Sequence, residues 1–256
     1  EMQRSLVGSE MCIRDRGNIY IGGYVEDADI WSGQDIIIQD GVNAGENGRI
    51  EAMGNISARF FENAHIISHS DIKCDYMLNT TALAYGGIYL EGKRGSVIGG
   101  DVTGVRGICI KACGSESYSK TVLRVGVTKE ISSEYAKVLM VLKDIDTQID
   151  RFNQALQKLD ILKKAGSDKF DETLNRKLLQ SKIVKTAEKA KYEEKSRNLY
   201  TLVRESDRAV VRIDKNIYPG SRVFMGDKTY VPSTVFTHIA LKKTSQGVLI
   251  RNYDSM

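Results

Sequence analysis

The chain has 256 residues, 41% hydrophobic and 27% charged, with 23 glycines, two prolines and 7% aromatics. That is enough apolar material for a sizeable core in one or two domains, and no run approaches the roughly eighteen apolar residues of a membrane-spanning helix. A net charge of +4 is far from the concentrated basic footprint of a nucleic-acid binder.

The first residues stand apart. The string "LVGSEMCIRD" resembles the translated end of a transposase sequencing adapter, so residues 1–16 are expected to lie outside the folded protein, like a tag. The protein proper then enters mid-chain near Gly17, with its own N-terminal region missing. Beyond that segment remain Cys74, Cys109 and Cys113. An odd number with no C-x-x-C pair argues against a disulfide framework and a zinc knuckle, and a reducing cytoplasm fits best.

From Gly17 a unit recurs that begins small, polar, isoleucine: "GNIYI", "QDIII", "GNISA", "SDIKC", "GGIYL". Its key positions are Ile19, Ile36, Ile56, Ile72 and Ile88. A second apolar column holds Ile21, Ile38, Ala58, Cys74 and Leu90, and a third Ile30, Ile50, Ile66, Ala82 and Ile98. Alternation within each unit indicates strands. A period near sixteen is too short for a repeat containing a helix, and suits coils of short strands stacked as a parallel β-helix.

The glycine-rich stretch "GKRGSVIGGDVTG" at residues 92–104 lacks the Lys that follows the last glycine of a phosphate loop, and lacks G-x-G-x-x-G. It reads as strand, corner, strand, corner, with glycines where a corner needs unusual backbone angles.

From about Ile131 the texture changes. Tyr135, Val138, Leu142, Ile145, Ile149, Phe152, Leu156 and Leu159 follow the alternating three- and four-residue steps of a coiled-coil seam. "KAGSDK" breaks the helix, and a second helix, about Asp171 to Glu205, carries Leu174, Leu178, Ile183, Ala187, Ala190, Leu199 and Val203 in a less regular seam. Together they predict an antiparallel hairpin roughly 50 Å long. Strands return from Ala209 in "AVVRI", "SRVFM", "TVFTHIAL" and "GVLIR". Equal helix lengths bring the chain back to its departure point, so these strands are expected to rejoin the stack left near Gly126.

The fold class is therefore mainly β with a helical insertion: a right-handed parallel β-helix, interrupted by an antiparallel coiled-coil hairpin and closed by C-terminal strands. The expected segments are 1–16, 17–128, 129–208 and 209–256.

The succession "GNIYIGGYVEDADIWSGQDIIIQDGV", "GNISARFFENAHI", "GSVIGGDVTG", "KTVLRVGV", a coiled-coil hairpin and "NIYPGSRVFMGD" resembles the FapA family, flagellar assembly protein A, through residues 17–256. The resemblance implies a bacterial cytoplasmic protein of assembly or regulation, without catalysis or cofactor.

The alternative for such a stack is a self-polymerising cytoskeletal β-helix like the bactofilins. No metal site is expected. His65 and His69 stand about 13 Å apart on extended chain, too far for one zinc, and Cys74 falls in an inward column. Asp27, Asp29, Asp35, Asp71 and Asp75 are acid–base candidates by residue type alone. Protein partners are expected at the coiled coil or the β-helix face, with Lys163, Lys164 and Lys169 at the hairpin tip as the candidate contact, and a homo-oligomer is an open alternative.

Overall fold

The isoleucines of the repeat stack on one another in the computed structural model, which describes residues 2–4, 11–45, 48–127, 129–165, 171–206 and 208–252. Ile19, Ile36, Ile56, Ile72 and Ile88 are direct partners in parallel strand pairs. The column continues through Ile108 to Val211. Every member is at most 1% exposed, and each buried side chain of this size contributes about 1.5–3 kcal/mol. A slip of one residue would turn the whole column to solvent, which fixes the register.

The second column pairs Ile21 with Ile38 and Cys74 with Leu90. The third runs Ile30, Ile50, Ile66, Ala82 and then departs from the expected order. Ala82 pairs with Val102, while Ile98 sits beside Leu78. The residues Glu91–Gly95 lengthen that coil, so the inward position falls fourteen after Ile88, the same offset that separates Ile50 from Ile36.

A fourth inward column escaped the sequence pattern: Val25, Val42, Phe61, Met77, Val97, Cys113 and Ile217. All but the first two change residue type from rung to rung, and the strands that carry them begin as short as Val25–Glu26. Alternation over two residues leaves no periodic signal.

At the corner after these strands, Asp27, Asn63, Asn79 and Gly99 all take positive φ, between 42° and 71°. These residue types reach the left-handed region at least cost. Gly100 follows at φ 82°, where an added Cβ would lie 2.1 Å from the Thr80 carbonyl oxygen. The glycine-rich stretch is thus a corner inside the strand Ser96–Gly104, as the alternation predicts.

A ladder of polar side chains ties the rungs together at a second corner. Asn18 Oδ1 accepts the Asp35 amide at 3.0 Å, and Asp35 Oδ1 the Asn55 amide at 2.6 Å. Asn55 Oδ1 then accepts the Asp71 amide at 3.2 Å, and Asp71 Oδ1 the Gly87 amide at 2.7 Å. Corner amides that leave the strand ladder need an acceptor, and Asn and Asp oxygens supply one.

Residues 1–16 are not wholly outside the fold as expected. Met11–Asp15 pairs parallel with Ala28–Ser32, placing Ile13 opposite Ile30, and Ile13 is 3% exposed. Met2–Arg4 pairs with Ile19–Ile21. The first rung presents a row of free amides and carbonyls, and an extended segment with an apolar residue in the right place satisfies it.

The chain divides into two compact units, residues 129–201 and residues 1–128 with 202–256. Within the latter, the C-terminal strands rejoin the stack. Val210–Ile213 pairs parallel with Gly107–Ile110, and Ser221–Met225 with Thr121–Val125. Phe236–Thr244 then runs antiparallel to Val210–Ile217, and Gly247–Asn252 lies antiparallel beyond it.

Candidate interaction surface

The smaller unit is built from two helices, α1 (Lys129–Lys164) and α2 (Glu172–Ser206, whose last turn belongs to the larger unit). Along α1, Ile131, Val138, Ile145 and Leu159 are buried at 2–8% exposure, with Phe152 half-buried between them. These are heptad positions, one face of the expected seam. The helices run antiparallel, since Glu134 pairs with Lys195 at 2.6 Å, Asp146 with Lys189 at 2.7 Å, and the Tyr135 and Tyr200 rings lie 6.4 Å apart. An open groove of about 750 Å³ between them is lined by Glu134, Lys137, Val138, Val141, Tyr192 and Lys195.

The expected seam of α2 needs correction. Between Leu178 and Leu199 its buried and half-buried residues are Leu178, Lys182, Lys185, Glu188, Lys189, Tyr192, Ser196 and Leu199, which apart from Glu188 keep regular heptad spacing but are largely polar. Lysine stems are half-buried while their ammonium groups reach carboxylates: Lys185 meets Glu188 at 2.8 Å, and Lys189 bridges Asp146 and Glu193. Those partners raise the pKa of Lys189.

Of the apolar residues read as seam, Leu199 is buried and Leu178 and Val203 are half-buried, but Leu174 and Ile183 are 45% and 69% exposed, and Ala187 and Ala190 are exposed too. Leu179, Ile183, Ala187 and Ala190 recur at steps of four, four and three, so they form one outward stripe, flanked by Val184 at 60%. The signal was present in the sequence as this second spacing; taking every apolar residue as inward obscured it.

Two of the three tip lysines lie among the described residues. Lys163 and Lys164 are exposed. Lys164 meets Asp160 at 2.7 Å on its own helix, and that hydrogen bond raises its pKa. Lys169 lies outside the described residues.

The remaining candidates have structural positions. His65 is exposed beside the buried Ile66, as alternation predicts. His69 stacks on Tyr85 at 4.9 Å and lies 3.7 Å from Glu51 Oε1. Among the described residues no three His, Cys, Asp or Glu side chains group as metal ligands. Asp29 accepts the Arg49 amide, and Asp75 the amides of Arg94 and Gly95, so with Asp35 and Asp71 they serve as rung-to-rung caps.

Cys74 and Cys113 are buried. Burial pushes both thiols up, Cys113 to about 12 with Ser221 opposing. At pH 8 a thiol of that pKa is only ~10⁻⁴ thiolate. Iodoacetamide at pH 8 is therefore expected to label the exposed Cys12 in native protein, and Cys74 and Cys113 only after unfolding, as read by peptide mass spectrometry. Fast native labelling of Cys113 would place it outside the core.

Stacked parallel strands around one continuous core, with two helices inserted between successive rungs and antiparallel strands at the close, define a β-solenoid with a helical insertion. Among the described residues no helix is long and apolar enough to cross a membrane. The family model of the Flagellar Assembly Protein A (FapA) beta solenoid domain matches residues 6–246. The chain belongs to the FapA family and is related to flagellar assembly. No curated protein and no solved structure matches it significantly.

Proposed function

We propose that the protein is a non-catalytic scaffold or regulator of flagellar assembly in the bacterial cytoplasm, with the solenoid as platform and the helical hairpin as the arm that binds a protein partner. The observation that carries this reading is the inverted composition of α2. Lysines fill much of its inward face while Leu179, Ile183 and Val184 stand exposed at 44%, 69% and 60%. Exposed apolar residues in a stripe mark interaction surfaces more than scattered ones do, and a helical stripe with this spacing suits a partner helix or groove.

The test places a photo-crosslinking benzophenone side chain at Ile183 in the producing cell. One discrete heterologous product is expected, lost when Leu179 and Val184 are both changed to lysine. Crosslinks forming only from a probe at His65 on the solenoid would remove the function from the arm.

The self-polymerising alternative finds less support. Phe236–Thr244 covers the edge of Val210–Ile217 in antiparallel sense, so a second solenoid cannot continue the parallel ladder at that strand. Filaments in the electron microscope at micromolar protein would reverse that preference.

A further inference from the structure

The solenoid carries a second feature that the arm does not explain. A cleft of about 430 Å³ lies where strands from before and after the helical insertion meet, lined among others by Thr81, Asp101, Lys120, Arg124, Arg222 and Phe224. Asp101, Val122 and Arg222 occupy one column of neighbouring rungs, and Thr103, Arg124 and Phe224 the next outward one. Arg124 is held in place: Nε and Nη2 donate to both Asp101 oxygens at 2.8–3.0 Å, and its guanidinium lies 4.4 Å above the Phe224 ring. Lys120 and Arg222 are exposed, and among the described residues neither has a carboxylate partner. Three cations against one carboxylate leave two positive charges in one cleft.

We infer that this cleft binds a phosphate monoester. A dianion matches the charge left over. Arg124 has given its Nε–Nη2 edge to Asp101, so a planar carboxylate can engage only one remaining fork at a time, the Nη1–Nη2 end of Arg124 or Arg222. A tetrahedral phosphate takes single hydrogen bonds from several directions: Arg124 Nη1, the Arg222 fork, the Lys120 ammonium and the Thr81 hydroxyl. The stacked, ion-paired Arg124 is ordered in advance, which lowers the cost of binding. The lining runs from Tyr76–Ala84 and Ser96–Gly104 through Thr121–Val125, the last strand before the insertion, to Ser221–Met225 after it, so a ligand here bridges the two halves of the solenoid.

The experiment titrates the ¹⁵N-labelled 256-residue chain with phenyl phosphate, with a phosphoserine peptide and with glutarate, at matched ionic strength. Saturable shifts of the Gly100 and Lys120 amides are expected with either phosphate probe at Kd below about 10 mM. The Lys120→Gln/Arg222→Gln variant should weaken them at least tenfold. Both replaced side chains are exposed, and an unchanged Tm confirms the fold. Phosphopeptide binding at least tenfold tighter than phenyl phosphate assigns the phosphate to a protein side chain, and equal binding assigns it to a small ester. Glutarate shifting the same amides with equal affinity, an unaffected variant, or no saturation overturns the inference.

Discussion

Replacing Phe61 by alanine is expected to cost about 3–5 kcal/mol of solenoid stability. The ring is fully buried and heads the largest core side chains, packed in its column between Val42 and Met77. The rungs above and below are fixed by backbone pairing at about 4.8 Å and cannot collapse into the space. Urea unfolding followed by the near-ultraviolet signal measures the loss, with an unchanged slope showing that the same surface is exposed. A cost under about 1 kcal/mol would mean that the solenoid repacks freely, and would argue against a rigid platform. The neighbouring Phe60 gives the control. It is half-buried, stacked on Tyr76 at a ring distance of 5.1 Å, and its removal should cost less.

The second large effect belongs to the helical unit. Ile145 is 2% exposed, the most buried of the described side chains of α1, and Ile145→Ala is expected to cost about 2–5 kcal/mol. Phe152, the more obvious choice from the seam, is half-buried and a weaker probe. Because residues 129–201 form a unit of their own, the loss should appear as faster amide exchange there while Ile36, Ile56 and Ile72 keep their protection. Equal loss of protection in both units would show that they unfold together, and would deny the arm the independence that the proposed partner-binding role uses.

The stacked architecture was legible because a solenoid repeats itself. Ile19, Ile36, Ile56, Ile72 and Ile88 meet the same neighbours one rung apart, so the period in the chain is the geometry of the core. The helical insertion was legible for a similar reason, since seven-residue spacing from Tyr135 to Leu159 reports a helix facing one partner. The closure of the stack by residues after Ala209 followed from the equal helix lengths together with the strand alternation of "AVVRID". The Asn18–Asp35–Asn55–Asp71 ladder lay in plain view as the polar residue before each key isoleucine, but its hydrogen bonds join residues 16 to 20 apart and have no local signature.

Three-dimensional contacts alone decided the rest. The column through Val25, Phe61 and Cys113 rests on strands too short to show a period. Whether Ile98 or Val102 faced inward depended on how the longer coil after Leu90 was absorbed. The outward turn of Ile183 shows only in the packed helix pair, where Leu199 is buried and Lys189 reaches Asp146 of α1. The phosphate cleft joins Asp101 and Arg124 to Arg222 and Phe224 across the whole insertion, and only the pairing of Thr121–Val125 with Ser221–Met225 brings them to one surface. Hydrophobic periodicity determines which elements form and which face they bury, whereas long-range backbone pairing and ion-pair register determine which of their exposed residues become neighbours.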